Sequence, residues 1–113
     1  MKKVRFIYDA HCTAVYDGDT ITVDIDLGFG NKMTGQKLRL YGVDTPEMRG
    51  DEREHGRKVR DWVREQILDK DVVLESIKDK TGKYGRWLAR IWIGDVCLNE
   101  ALIDSGRAEA YYP

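Results

Sequence analysis

The chain has 113 residues, enough to enclose one modest core and too few for two, so residues 1–113 are expected to form a single domain. Lysine and arginine (19) nearly balance aspartate and glutamate (20), and a net charge of −1 argues against a generic polyanion binder, which carries a broad basic excess. That balance still leaves room for a local basic patch.

Residues 4–17 mix β-branched and aromatic side chains and read as a long first strand. In 19–27, Ile21, Val23, Ile25 and Leu27 alternate with Thr20, Thr22, Asp24 and Asp26, the pattern of a half-buried second strand. The glycine-punctuated stretch 28–35 predicts a hairpin turn, and 36–43 a third strand. A polar loop over 48–56 leads into a helix near 54–69, where Val59, Trp62, Val63 and Ile67 recur at helical spacing. Residues 71–78 and 86–93 predict two further strands joined by a turn over 79–85. A short helix follows over 98–105, stopped by Gly106. Three strands, a helix, two strands and a helix make an α+β, mainly β chain: a five-stranded OB-fold barrel with two helices. Cys12 and Cys97 lie in apolar contexts without CxxC or Cys/His spacing and read as buried free thiols. No apolar stretch of signal-peptide or membrane-span length follows Met1, so a cytoplasmic location is expected, or a secreted one if a leader has been removed.

Three stretches could carry chemistry. Asp19 shares the inward face of Ile21, Val23 and Ile25, where a carboxylate must be paired, protonated or metal-bound; alternatively it starts the strand after an Asp-Gly turn, still in water. Asp44 and Glu47 flank Thr45-Pro46 just past a strand end. With Asp19 and a carbonyl from Thr45, Asp44 would supply the oxygen donors that a hard cation such as Ca²⁺ requires, the bland alternative being a Thr-Pro turn with incidental acids. Third, Arg86 opens the fifth strand and shares a face with Leu88, Arg90 and Trp92, leaving Trp87, Ala89, Ile91 and Ile93 for the core. Arginines suit phosphate, and Tyr84 and Trp92 could stack on bases; otherwise this row is a solvated face. His11 and His55 are isolated, the stripe Arg57, Arg60, Arg64 is interrupted by acids, and Ser76 and Ser105 lack a nucleophile context.

The segments DGDT (17–20), RLYGVDTPE (39–47) and KYGR (83–86), followed by LNEALIDSG (98–106), together resemble the staphylococcal nuclease family, the thermonucleases or micrococcal nucleases. The resemblance covers about residues 12–112. It implies an OB barrel, with Asp19 and Asp44 as calcium carboxylates, Thr45 as a carbonyl donor, and Arg39 and Arg86 as phosphate-binding arginines. It further implies Glu47 as the catalytic glutamate, and Lys83, Tyr84 and Tyr112 as nucleotide contacts. The implied activity is Ca²⁺-dependent hydrolysis of phosphodiester bonds in accessible or single-stranded DNA, and in RNA as a second substrate, leaving 3′-phosphates with little sequence preference. Membranes and obligate protein partners have no part in that expectation. The sequence departs from the family in a longer connection between the second and third strands and a shorter, less lysine-rich loop after Glu47. It also departs in Gly82, which stands where an acid is common and leaves Asp79 to hold the turn, and in stopping at AYYP before the family's third helix, which is expected of either a minimal member or a cut C-terminus. A competing class is a non-catalytic OB-type nucleic-acid-binding module, which such domains become when the acids are lost; here the acids are present. A peptide-binding or structural barrel explains none of the three segments.

Overall fold

A computed structural model describes residues 6–81 and 86–111, without the side chains of 78–81. The alternating segments form β1 (Ile7–Asp17), β2 (Thr20–Gly28) and β3 (Asn31–Leu40), an antiparallel meander in which β2 is central. β4 (Val43–Asp44) follows a Tyr41–Gly42 turn. A 3₁₀ turn (Gly50–Glu52) leads into α1 (Arg53–Ile67), and then come β5 (Asp71–Thr81), β6 (Trp87–Ile93), β7 (Val96–Cys97), α2 (Leu98–Asp104) and β8 (Glu109–Ala110). The sheet runs β3-β2-β1-β5-β6-β7, and a parallel pairing of β3 with β6 closes five strands into a barrel. Closure removes the open sheet edges that would otherwise invite intermolecular pairing.

The inward alternation of β2 holds where the strand lines the barrel: Ile21, Val23 and Ile25 are buried with Leu38, Leu40, Leu74, Ala89 and Ile91. One face of α1 adds Val59, Val63 and Ile67 to the same cluster, at a spacing of four residues that stacks them along the helix. Chain reversal after Asp104 uses Gly106 at φ 76°, the left-handed conformation suited to glycine beyond a helix end.

Several details differ from the sequence expectations. The broad turn expected over 28–35 contracts to Phe29–Gly30 between paired Gly28 and Asn31, so the residues that lengthen this connection extend the strands instead. A register shift between Val23/Gln36 and Ile25/Met33, next to Gly35 at φ 63°, absorbs the mismatch. The hairpin thereby runs past the core, and Leu27, expected inward, is exposed. Trp87, expected in the core row of β6, is also exposed, whereas Leu88 is buried. The predicted third strand of 36–43 ends at Leu40, and the short pair β4–β8 was not expected at all. Finally, Asp19 lies outside β2, at the turn before it, yet is buried as the inward reading required.

Candidate active site

The turn Asp17-Gly18-Asp19 joins β1 to β2, and the Asp19 N–H donates to Asp17 Oδ1 at 3.1 Å. Gly18 allows this turn to press against its neighbours: a Cβ there would sit 2.7 Å from Val59 Cγ1 and 2.9 Å from Thr45 Cγ2. Asp19 is 7% exposed and fully engaged. Its Oδ2 meets Arg39 Nη1 at 2.7 Å and accepts from the Thr45 N–H at 3.4 Å, and its Oδ1 accepts from the Thr20 hydroxyl at 3.3 Å. Burial alone would raise the Asp19 carboxyl. Hydrogen bonds from Asp17 and Arg39, the Arg39 charge and the Thr45 N–H outweigh it and hold Asp19 below the usual carboxylate range. Asp17 goes the other way, pushed up to about 7 by burial and then by the neighbouring Asp19. At one turn, then, an ionised and a proton-holding carboxylate lie side by side, the arrangement that forms when two acids share a site.

Both predicted phosphate-binding arginines reach this turn. Arg39 faces it directly because Arg39 on β3 pairs with Thr20 on β2. Its second Nη donates to the Val43 carbonyl at 3.1 Å, tying the guanidinium to the turn that follows its own strand. The parallel register of β3 with β6, Leu38 opposite Trp87 and Arg39 opposite Leu88, brings the start of β6 alongside. There Arg86 Nη1 donates to Thr20 Oγ1 at 3.0 Å. Arg90 belongs elsewhere: it lies 3.9 Å from Glu75 and 5.4 Å over the Tyr41 ring, and the Trp92 indole N–H donates to the same Glu75 at 3.2 Å. These residues are neither a solvated face nor a row turned to the Asp19 turn.

The segment after β4 behaves differently. Thr45 is buried against Asp19, whereas Asp44 is exposed and lines a cleft of about 250 Å³ with Glu52, His55 and Arg107. Asp44 pairs through its backbone with Glu109, so β8 fixes this strand from outside the barrel. Glu47 is exposed; its carboxylate lies 3.6 Å from Arg49, and its N–H donates to Glu52 Oε2 at 2.7 Å. Under it, Gly56 on α1 lets the helix touch the loop backbone: a Cβ there would run into the Glu47 carbonyl and lie 2.9 Å from that of Pro46. Lys83, Tyr84 and Tyr112, the expected nucleotide contacts, lie outside the described residues, as do Gly82 and the Asp79 side chain.

The structure therefore brings Asp19, Thr45, Arg39 and Arg86 together, and places Asp44 and Glu47 on the adjoining segment. Among the described residues, no three His, Cys, Asp or Glu side chains converge as a ready metal cluster. The donor chemistry nonetheless suits a hard cation, since the Asp19 and Asp44 carboxylates and the Thr45 carbonyl offer only oxygens. Sequence reasoning missed four contributors. Asp17 carried a signal in its spacing two residues before Asp19 within an Asp-Gly-Asp turn, and Thr20 completes that same motif. Glu52 and Asn99 carried none. Asn99 is 3% exposed; its amide donates to the Tyr41 carbonyl at 2.8 Å and the Ala89 carbonyl at 3.0 Å, and its oxygen accepts from the Ile91 N–H at 3.0 Å. It thus clamps the turn between Arg39 and Asp44 onto β6.

Comparison with known proteins agrees with this geometry. The family described as staphylococcal nuclease homologue matches residues 37–113. A thermonuclease of Staphylococcus hyicus is 38% identical over 101 residues, covering 87% of this chain and 56% of that protein. A thermonuclease of Staphylococcus intermedius is 35% identical over 103 residues, covering 88% and 58%. An uncharacterised protein of Methanocaldococcus jannaschii is 28% identical over 131 residues, covering 92% and 59%. The chain thus spans somewhat under three fifths of the length of these curated relatives. With a closed five-stranded barrel, two helices and a family match running from β3 to the C-terminus, the chain belongs to the staphylococcal nuclease homologue family.

Proposed function

We propose that the chain is a single catalytic domain, a Ca²⁺-dependent nuclease that hydrolyses phosphodiester bonds in DNA and RNA with little sequence preference, leaving 3′-phosphates. The observation that carries this reading is the meeting of two arginines, one on β3 and one just before β6, at one buried carboxylate turn, with a glutamate loop packed beside it. A phosphodiester under attack gains negative charge on its non-bridging oxygens, and guanidinium groups fixed in advance stabilise that charge without reorganising. Arg39 and Arg86 would take this role, and their forked geometry suits two oxygens of one phosphate. Asp19 and Asp44, with the Thr45 carbonyl, would hold the cation, which would supply further charge neutralisation and a coordinated water.

Glu47 would orient the attacking water and take its proton; exposure leaves its carboxylate able to approach a bound strand. Nothing in this set reads base edges, which fits a preference for unpaired, accessible strands. The deciding experiment is digestion of a single-stranded oligonucleotide in Ca²⁺ and in chelator. Cleavage confined to Ca²⁺, with 3′-phosphate ends, is the expected result; cleavage in excess chelator would overturn the metal assignment. Binding without cleavage in Ca²⁺ would instead return the non-catalytic binding module.

A further inference from the structure

Thr20 has no part in the chemistry outlined above, yet it occupies the centre of the site. It is 6% exposed, and its backbone pairs with Asp17 on β1 and with Arg39 on β3. Its hydroxyl accepts from Arg86 Nη1 at 3.0 Å and gives its one proton to Asp19 Oδ1 at 3.3 Å. Both bonds are to ionised groups, which makes each stronger than a neutral pair, and the Asp17 carboxylate also bonds this side chain, so the hydroxyl proton stays with the acid pair while a lone pair faces Arg86. A planar guanidinium held at one Nη also loses much of its freedom to swing. We infer that Thr20 is a positioning residue, which sets Arg86 at a fixed offset from the Asp19 carboxylate so that the phosphate-neutralising and cation-side groups act on one substrate atom set. The inference rests on the nuclease reading and deepens it.

The test is a double-mutant cycle on a single-stranded oligonucleotide in Ca²⁺ at fixed salt, using Thr20→Val, Thr20→Ser, Arg86→Lys and the Thr20→Val/Arg86→Lys pair. Valine keeps the shape and strand preference of threonine but removes the hydroxyl. The expected loss in kcat/KM for Thr20→Val is about tenfold or more, the scale of a hydrogen bond to a charged group. Thr20→Ser is expected to stay within about twofold, and the double variant to be no worse than Arg86→Lys alone, because Thr20 would act through Arg86. Affinity for the same oligonucleotide in chelator is expected to change less than turnover does. Wild-type kcat/KM in Thr20→Val alongside a damaged Arg86→Lys, or losses that simply multiply, would overturn the positioning role while leaving the nuclease reading intact. A wild-type chain that cuts nothing in Ca²⁺ would overturn the reading itself, and the inference with it. Should Thr20→Val fail to fold, Thr20→Ala removes the hydroxyl without adding a methyl to the buried site and is judged by the same outcomes.

Discussion

The Asp17–Asp19 turn and the Glu47 loop adjoin Thr45-Pro46 from two sides, and they are held in opposite ways. Asp19 is buried and takes contacts from its neighbour Thr20 and from Arg39 and Thr45 further along the chain. Glu47 is exposed, with its backbone tied to Glu52 and its carboxylate near Arg49 at the surface. The difference separates two tasks. Charge neutralisation works best when donors are fixed before substrate arrives, and a buried network provides that. Handling a water needs a carboxylate open to solvent, and a loop lying on α1 provides that without burying an unpaired charge.

Altering one central charged group on each side is the strongest way to break this contrast. Glu47→Gln is expected to lower kcat by roughly 10²-fold or more with little change in oligonucleotide affinity, the scale of a lost proton acceptor. Near wild-type turnover would reduce Glu47 to an ordinary loop acid. Arg39→Lys keeps the charge and loses the fork, and is expected to cost roughly 10²-fold in kcat/KM. Arg90→Lys, whose partners are Glu75 and Tyr41, should stay within about a fewfold. Equal losses in the two arginine variants would make the basic residues a generic surface.

A smaller effect sharpens the role of α1. Glycine to alanine inside a helix ordinarily stabilises by roughly 0.5–1 kcal/mol. Gly56→Ala should reverse that sign, because the new methyl meets the Glu47 carbonyl, and denaturant unfolding together with kcat should both register the shift. A gain in stability would show that the loop moves aside freely. Glu52→Gln weakens the charge-assisted bond to the Glu47 N–H, and a loss of about fivefold in kcat, near 1 kcal/mol, is expected with the fold intact.

The mildest test is by pH. Asp17 holds its proton more tightly folded than unfolded, up to about 7, so the native state binds more protons than the unfolded chain between about pH 4 and 7. Stability from this group therefore falls as pH rises through that window. Asp19, held low, works in the opposite direction and only at more acid pH, losing its contribution as pH falls through its folded value. Asp17→Asn should flatten the decline of Tm between about pH 4 and 7 in metal-free buffer; an unchanged slope would mean that folding does not raise the Asp17 carboxyl.

Much of this was legible from local pattern. Period-two alternation located Ile21, Val23 and Ile25, helical spacing located Val59, Val63 and Ile67, and the inward parity of Asp19 flagged a carboxylate that needed a partner. The same rules misplaced Leu27 and Trp87, because alternation gives a side chain its face and says nothing of where a strand outruns the barrel. They also left Arg90 as either a loose nucleic-acid contact or part of a solvated face, since Glu75 and the Tyr41 ring approach it from other segments.

By itself, then, the sequence determined which residues could be strand, helix, turn and charge, because those properties depend on neighbours a few positions away. Only the tertiary structure decided which charges meet. Asn99 reaches the Tyr41 carbonyl across 58 positions, Arg86 reaches Thr20 across 66, and Arg39 meets Asp19 because β3 lies beside β2. Such contacts form once the barrel closes and the hydrogen-bonding demands of buried groups are satisfied together, a condition set in space and not along the chain.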